Sequence, residues 1–395
     1  MSPPEWAAAL SSGADPALVA WVVRLAAADW AHPDRIRRVV AARLDAGQPT
    51  DAGAVLEDLE GCGAGPLPPP AAAGRLAAGL VRLGARVSVV GQPGYPHRLA
   101  AAWPELGAPL WLFVRSATGR LPSGTAAVAV VGTRQPTLEG LETARALARI
   151  LAARGVVVVS GMARGIDQAA HAGALDADGP TVGVLGTGLD VDYPHRDGPL
   201  RDAVAAAGGL VTEYRLGTPP RAPNFLWRNR IIAGLADATV VVEGRARSGA
   251  LQTARLAAAQ GREVLAVPGS LHQPASRAPL DLIRDGARPL THLDEILEVL
   301  DGLPVMPGEP DDAPVADHGL APVADHGLAP VAADVLRLLG AVPATPDRLA
   351  AASGHPIGAV LGAVADLTVR GLAAATPRGF VAVPSNGRSG QPPCL

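Results

Sequence analysis

Residues 156–175, VVVVSGMARGIDQAAHAGAL, run four valines into Ser160-Gly161 and open a helical pattern after Gly165. A strand that enters a helix through such a turn presents backbone N–H groups to whatever lies above it, which makes it an anion site. Arg164 adds a planar, multi-donor cation to the same turn. Three further loops carry related chemistry. In 132–140, GTRQPTLEG, Gly132 permits a tight turn and Arg134 supplies a fixed cation. In 243–254, EGRARSGALQTA, Ser248 and Gly249 open another helix, with Thr253 one turn further on. In 222–236, APNFLWRNRIIAGLA, one short stretch gathers Phe225, Trp227, Arg228, Asn229 and Arg230. Aromatic rings beside guanidiniums can stack a base and neutralise its phosphate. Phe225, Arg228 and Arg230 are expected to face a ligand, and Trp227 the core.

Turnover would need a positioned acid or base. Asp167 and His171 lie four apart on one helix face, a spacing that serves capping and packing more often than chemistry, and they are read in that way. No G-x-G-x-x-G follows an apolar run, and 186–194, GTGLDVDYP, has the wrong spacing for one. A P-loop is excluded because all 34 basic residues are arginine. Cys62 and Cys394 are far apart and show no ligand spacing. No metal, no cofactor and no catalytic residue is expected. The four loops predict a phosphate-binding surface made of backbone donors, arginines and one aromatic ring.

That surface requires a scaffold. Apolar runs at 127–132, 156–161, 181–186, 210–213, 238–243 and 263–269 alternate with helical patterns. Strands that are apolar throughout, spaced by helices, predict a doubly wound, Rossmann-like parallel sheet covered on both faces, within 85–300. Ligands of such sheets bind beyond the carboxyl ends of the strands, where all four loops fall. Residues 1–66 read as a small helical N-terminal domain. Residues 301–330 contain APVADHGL twice in succession, are acidic and proline-rich, and predict a flexible linker in which His318 and His326 bind no metal. Residues 331–384 read as three helices and a hairpin, a winged helix. Its third helix carries no arginine before Arg370, so a protein contact is expected of it rather than groove reading.

The net charge of −3 over 395 residues supplies no global basic field, so any polyanion site must be local. The N-terminal residues lack a signal-peptide pattern, no segment is apolar enough to span a membrane, and cysteine is scarce, so a cytoplasmic protein is expected.

The motifs resemble those of the bacterial DNA-processing protein A (DprA, or Smf) family. The resemblance rests on YPHRLA (95–100), VGTR, SGMARGIDQAAHAGAL, GTGLDVDYP, FLWRNRIIAGLA, VVVEGRARSGALQTARLAAAQGREVLAVPG and LIRDGA (282–287), and covers about 95–290 in order. It implies a protein that binds single-stranded DNA, loads the recombinase RecA in natural transformation, dimerises through its Rossmann-like domain and has no enzymatic activity. It places Arg134 on the family's G-[S/T]-R arginine, Arg164 on the basic position of its SG-x-A-[K/R]-GID turn, and Phe225, Arg228, Asn229 and Arg230 on its F-P-x-R-N-R motif. Leu226 replaces the proline of that motif, and Ala278 and Leu280 replace a glycine and an asparagine in a later loop. An alternative reading is a nucleotide-processing phosphoribohydrolase of related fold. Those enzymes carry a glutamate in a P-G-G-x-G-T-x-x-E loop, where this chain has SGALQTARL.

Overall fold

The computed structural model describes residues 3–46, 48, 50, 55, 57–59, 68–103, 106–195, 197–246, 248–301, 330–339, 344–369, 372–376 and 379–382. Both cysteines, nearly all of the 301–330 repeat segment, and the turn at Pro377-Arg378 lie outside the described residues. The chain divides into two compact units, Met1–Asp311 and Asp312–Leu395.

Three proline-started helices open the first unit: α1 (Pro3–Leu10), α2 (Pro16–Ala26) and α3 (Pro33–Asp45). Proline suits a first helical position because its missing N–H would have no partner there. Asp15 caps α2 by accepting from Ala17 N at 2.7 Å, and His32 Nδ1 caps α3 by accepting from Asp34 N at 3.2 Å. A fourth helix, α4 (Pro70–Arg82), follows. These helices build no core of their own. Trp6, Leu10, Val19 and Leu80 are buried together with Val87, Trp111 and Phe113 of the sheet. The N-terminal helices are therefore one layer of the first unit.

The rest of that unit alternates strand and helix. In order it contains β1 (Arg86–Val89), α5 (His97–Ala100), β2 (Trp111–Arg115), β3 (Ala127–Val131), α6 (Leu138–Ala153), β4 (Val157–Ser160) and α7 (Ile166–Leu175). Next come β5 (Thr181–Val184), α8 (Gly198–Ala207), β6 (Gly209–Thr212), α9 (Ala222–Leu235), β7 (Ala238–Val241) and α10 (Gly249–Ala259). The unit closes with β8 (Glu263–Ala266), α11 (Arg277–Arg284), β9 (Arg288–Pro289) and α12 (Glu295–Asp301). The strands form one nine-stranded sheet in the order β1-β2-β6-β5-β4-β3-β7-β8-β9. From β6 to β9 every neighbour is parallel; β1 and β2 add an antiparallel edge.

Both faces of the parallel part are covered. Val128 and Val130 of β3 pack on one side with Leu147 of α6 and Ile166 of α7. Ala129 and Val131 pack on the other with Ile231 of α9 and Leu251 of α10. Each fully buried valine or leucine contributes about 1.5–3 kcal/mol relative to exposure, which is why the six predicted apolar runs are the six strands β3–β8. The strand order reverses at β3, flanked by β4 and β7. Loops following β3, β4, β5 and β7 thus converge at one end of the sheet.

The second unit is a winged helix. It consists of α13 (Pro330–Leu338), α14 (Pro346–Ser353), α15 (Ile357–Val369) and the antiparallel pair β10 (Ala373–Thr376) and β11 (Gly379–Ala382). Val335, Leu349, Val364 and Leu367 form its core, and α15 leaves Ile357 and Leu361 exposed.

Candidate nucleic-acid interface

The turn from β4 to α7 is built over a buried cation. Arg228 of α9 is 3% exposed and donates to Gly161 O at 2.5 Å and to Val184 O. The carbonyl of Gly161 therefore points at Arg228, and the N–H of the same trans peptide, that of Met162, points away from it. Gly161 is required here: a Cβ would stand 2.6 Å from Asp167 Oδ2 and against the guanidinium. Met162 itself adopts φ 57°, a conformation that costs a non-glycine residue about 1 kcal/mol or more. Gly165 has φ +89° and begins α7 without a capping side chain; Ile166 N donates to Thr133 O at 3.3 Å, and the helix dipole still favours an anion at this end. Arg164 is exposed beside it.

The other helix ends near the strand reversal are closed by the chain's own groups. Glu243, after β7, accepts from Thr137 N at 2.9 Å and Thr137 Oγ1 at 2.6 Å, and Thr137 in turn caps α6 through Gly140 N. Ser248 caps α10 by accepting from Leu251 N. An incoming phosphate would have to displace a carboxylate at α6 and a hydroxyl at α10. At α7 the N-cap makes no side-chain hydrogen bond, Ile166 N donates to Thr133 O, and the Asp167 carboxylate takes Ala163 N from within the turn.

Beside that turn stands Phe225, half-buried on the first turn of α9. The Arg134 guanidinium lies 5.1 Å from its ring centroid, and the Tyr193 ring lies 5.1 Å away at 37°. Arg134 is exposed. The three side chains form an aromatic and cationic step next to the α7 turn, the combination that stacks a base and pairs its phosphate. Acidic residues are also near. Asp197 has its carboxyl raised by desolvation and by Asp192, an effect that Arg164 offsets.

Several residues expected at the ligand surface are instead internal. Arg228 serves the turn from beneath, with its guanidinium pulled below the usual arginine range, to about 10, by desolvation. Arg230 is 2% exposed and forms an ion pair at 2.7 Å with Glu213, itself 1% exposed. Ser160 Oγ donates to Val130 O at 2.7 Å, tying β4 to β3. Asn229 Nδ2 and Thr253 Oγ1 both donate to Gly249 O, joining α9 to the start of α10. Gly132 lies against Ile166, where a Cβ would come within 2.5 Å. The physical reason is shared: these polar groups lie on the inward faces of their elements, where hydrogen bonds within the chain replace water. Trp227, expected in the core, is 39% exposed and lies over Arg230 at 5.5 Å. Tyr193 was not singled out from the sequence, although it lies within the GTGLDVDYP stretch.

Asp167 and His171 are both buried. Asp167 accepts from Ala163 N at 3.4 Å, and burial raises its carboxyl despite the nearby Arg228. His171 is fully buried, with Nδ1 2.7 Å from Thr181 Oγ1. Because that hydroxyl donates to Val158 O, it accepts from His171, fixing the proton on Nδ1. Both residues are tied to the turn and the sheet, as their spacing predicts. Among the described residues no group of three or more His, Cys, Asp and Glu could hold a metal ion. Nor is any helix there long and apolar enough to cross a membrane.

The chain resembles known proteins over most of its length. The family model described as DNA recombination-mediator protein A matches residues 86–301, and the DprA winged helix domain matches 320–379. The chain is 39% identical over 289 residues to Protein Smf of Escherichia coli, covering 73% of this chain and 74% of that one. It is 43% identical over 247 residues to a putative DNA processing protein DprA of Mycobacterium tuberculosis, covering 62% of each and so less than two thirds of that relative. The X-ray structure of DNA processing protein A from Streptococcus pneumoniae superposes with a TM-score of 0.57 at 31% identity, over 70% of this chain and 95% of that one.

Proposed function

Because the chain belongs to the DNA recombination-mediator protein A family, we propose that its sheet-end surface binds single-stranded DNA and that it loads the recombinase RecA onto the strand. The observation that carries the reading is the Phe225 ring beside Arg134 and Tyr193, next to the N-terminus of α7. Only an unpaired base can leave its stack to lie on such a ring. The protein acts in the cytoplasm as a homodimer formed through the Rossmann-like domain. It has no turnover of its own, a reading supported by the burial of His171 and by the hydrogen bond that engages Asp167.

Purified full-length protein is expected to bind an unstructured oligonucleotide more tightly than its duplex, and to leave both oligonucleotide and ATP unconsumed. Of the four arginines singled out from the sequence, Arg228 and Arg230 are internal and Arg134 and Arg164 are exposed for phosphates. At about −0.7 per contact the log–log salt slope should be near −1.4. Equal affinity for duplex, or a slope near zero, would sink the proposal.

Stacking and charge separate by substitution. Phe225→Ala should weaken binding by about 1–3 kcal/mol and leave the salt slope unchanged. Arg134→Ala should weaken binding to every sequence and reduce the slope by one contact. A Phe225→Ala protein with a sharply lowered Tm and intact affinity would show the ring to be a packing element.

A further inference from the structure

Trp227 stands two residues beyond Phe225, at the position that the F-P-x-R-N-R motif leaves open, and the Phe225 step makes no use of it. Its ring is held from behind. One face lies over the guanidinium of Arg230, which is 2% exposed and paired with Glu213. The His32 ring, at the start of α3 in the N-terminal helical layer, adjoins it at 6.1 Å and 37°. Even so, Trp227 remains 39% exposed. A large ring fixed by a buried cation yet open to water is a preorganised stacking platform, because little side-chain freedom is lost when a base is laid on it.

The first turn of α9 projects from the surface. Arg221, Ala222, Pro223, Leu226 and Trp227 are exposed, whereas every residue from Arg228 to Leu235 is buried. At about 100° per residue, Phe225 and Trp227 stand on opposite sides of this turn with Leu226 between them. A helix with its side chains is about 10–12 Å across, so one nucleotide cannot cover both rings, whereas successive nucleotides of a strand crossing Leu226 can. The backbone of that strand meets the N-terminus of α9, which has no side-chain cap and presents the positive end of a 14-residue helix.

The charges here suit a polyanion. Two carboxylates act on His32, Glu213 and Asp34. Glu213 is taken by Arg230, and Asp34 is shared by Arg37 and Arg38. Asp29, three residues before His32, pairs with Arg215 at 3.3 Å. Arg38, its side chain 67% exposed, and the exposed Arg221 leave this corner with a surplus of cations.

We propose that Trp227 is a second stacking platform for single-stranded DNA: a strand laid on Phe225 crosses the start of α9, with a phosphate at Arg221, and stacks a further base on the indole. The proposal rests on the reading of the sheet end as a single-strand surface. It makes the N-terminal helical layer, through His32 and Arg38, one bank of the DNA path. Any base suits the platform, because every base has a π-face.

Fluorescence anisotropy of the full-length protein with an oligo-dT long enough to cross α9 tests it. Trp227→Ala should weaken binding about tenfold, and Trp227→Phe, which keeps a ring, should stay within about twofold of the unaltered protein. Arg221 adds one phosphate contact, so the salt slope should steepen from near −1.4 to about −2.1 and return with Arg221→Ala. Quenching of tryptophan emission at saturating oligo-dT reads the contact itself, whatever Trp227→Ala does to folding. The unaltered protein should lose more emission than the Trp227→Phe protein, and equal quenching in the two overturns the proposal. If Phe225→Ala weakens binding and a folded Trp227→Ala protein binds normally, the second platform fails, the surface reading stands, and the exposed indole falls to a protein partner. If the unaltered protein binds no oligo-dT, both readings fail.

Discussion

Arg230→Met is expected to lower the unfolding free energy by about 3–5 kcal/mol, the usual consequence of removing one partner from a buried ion pair. Arg230 and Glu213 are 2% and 1% exposed and meet at 2.7 Å, so the substitution strands a carboxylate with no solvent to receive its charge. The lost cation–π contact with Trp227, at 5.5 Å, adds a smaller term. The second half of the expectation is recovery. Glu213→Leu combined with Arg230→Met should restore most of the loss, because a buried pair is often no more stable than apolar groups of similar volume. Urea denaturation of the full chain, following the transition of the first unit, gives both values, and the double-mutant cycle gives the coupling. An Arg230→Met protein with an unchanged midpoint and weakened DNA binding would mean that this arginine turns outward to the strand.

Acid should destabilise the protein through His171. Desolvation, reinforced by Arg228, brings its pKa from 6.5 to about 3. Below pH 6.5 the unfolded chain takes up a proton that the folded chain refuses, so stability falls as the pH drops towards 3. The full effect is roughly 4–5 kcal/mol, at about 1.4 kcal/mol for each tenfold change in proton affinity. Asp167 works in the opposite sense: its raised carboxyl binds a proton in the folded state first, so its contribution is lost as the pH rises. Comparing the protein with His171→Asn, whose amide can still donate to Thr181, isolates the histidine. The difference between their stability curves should change by up to one proton between pH 6 and pH 4. Parallel curves would show that the imidazole is solvated.

Six of the seven parallel strands, β3–β8, were legible because continuous apolar runs have few other uses. The edge strands were not. β1, RVSV, alternates and is short, and β9 has only two residues, so neither carries enough apolar periodicity to be seen. At the site, Arg134, Arg164 and Phe225 occupy loop or helix-start positions where exposure follows from the fold, and the structure places each at the surface or half-buried there. The 224–230 stretch misled because composition does not reveal direction. Asn224, Arg228, Asn229 and Arg230 all lie buried on α9, while Leu226 and Trp227 of the same helix are exposed. The available signal was Glu213 at the end of β6, an acid in a buried strand that needs a cation from elsewhere in the chain.

Glu243 has one more consequence. Tethered at the start of α6, it acts as a resident anion whose effective concentration no free metabolite matches, so a mononucleotide finds that end of the helix taken. What remains for phosphates and bases is the α7 turn and the Phe225 step beside it. A single nucleotide brings one base and one phosphate there, whereas a strand brings several in succession. Preference for polymer over the nucleotide pool then arises from valency, without any contact that distinguishes the monomer from its repeat.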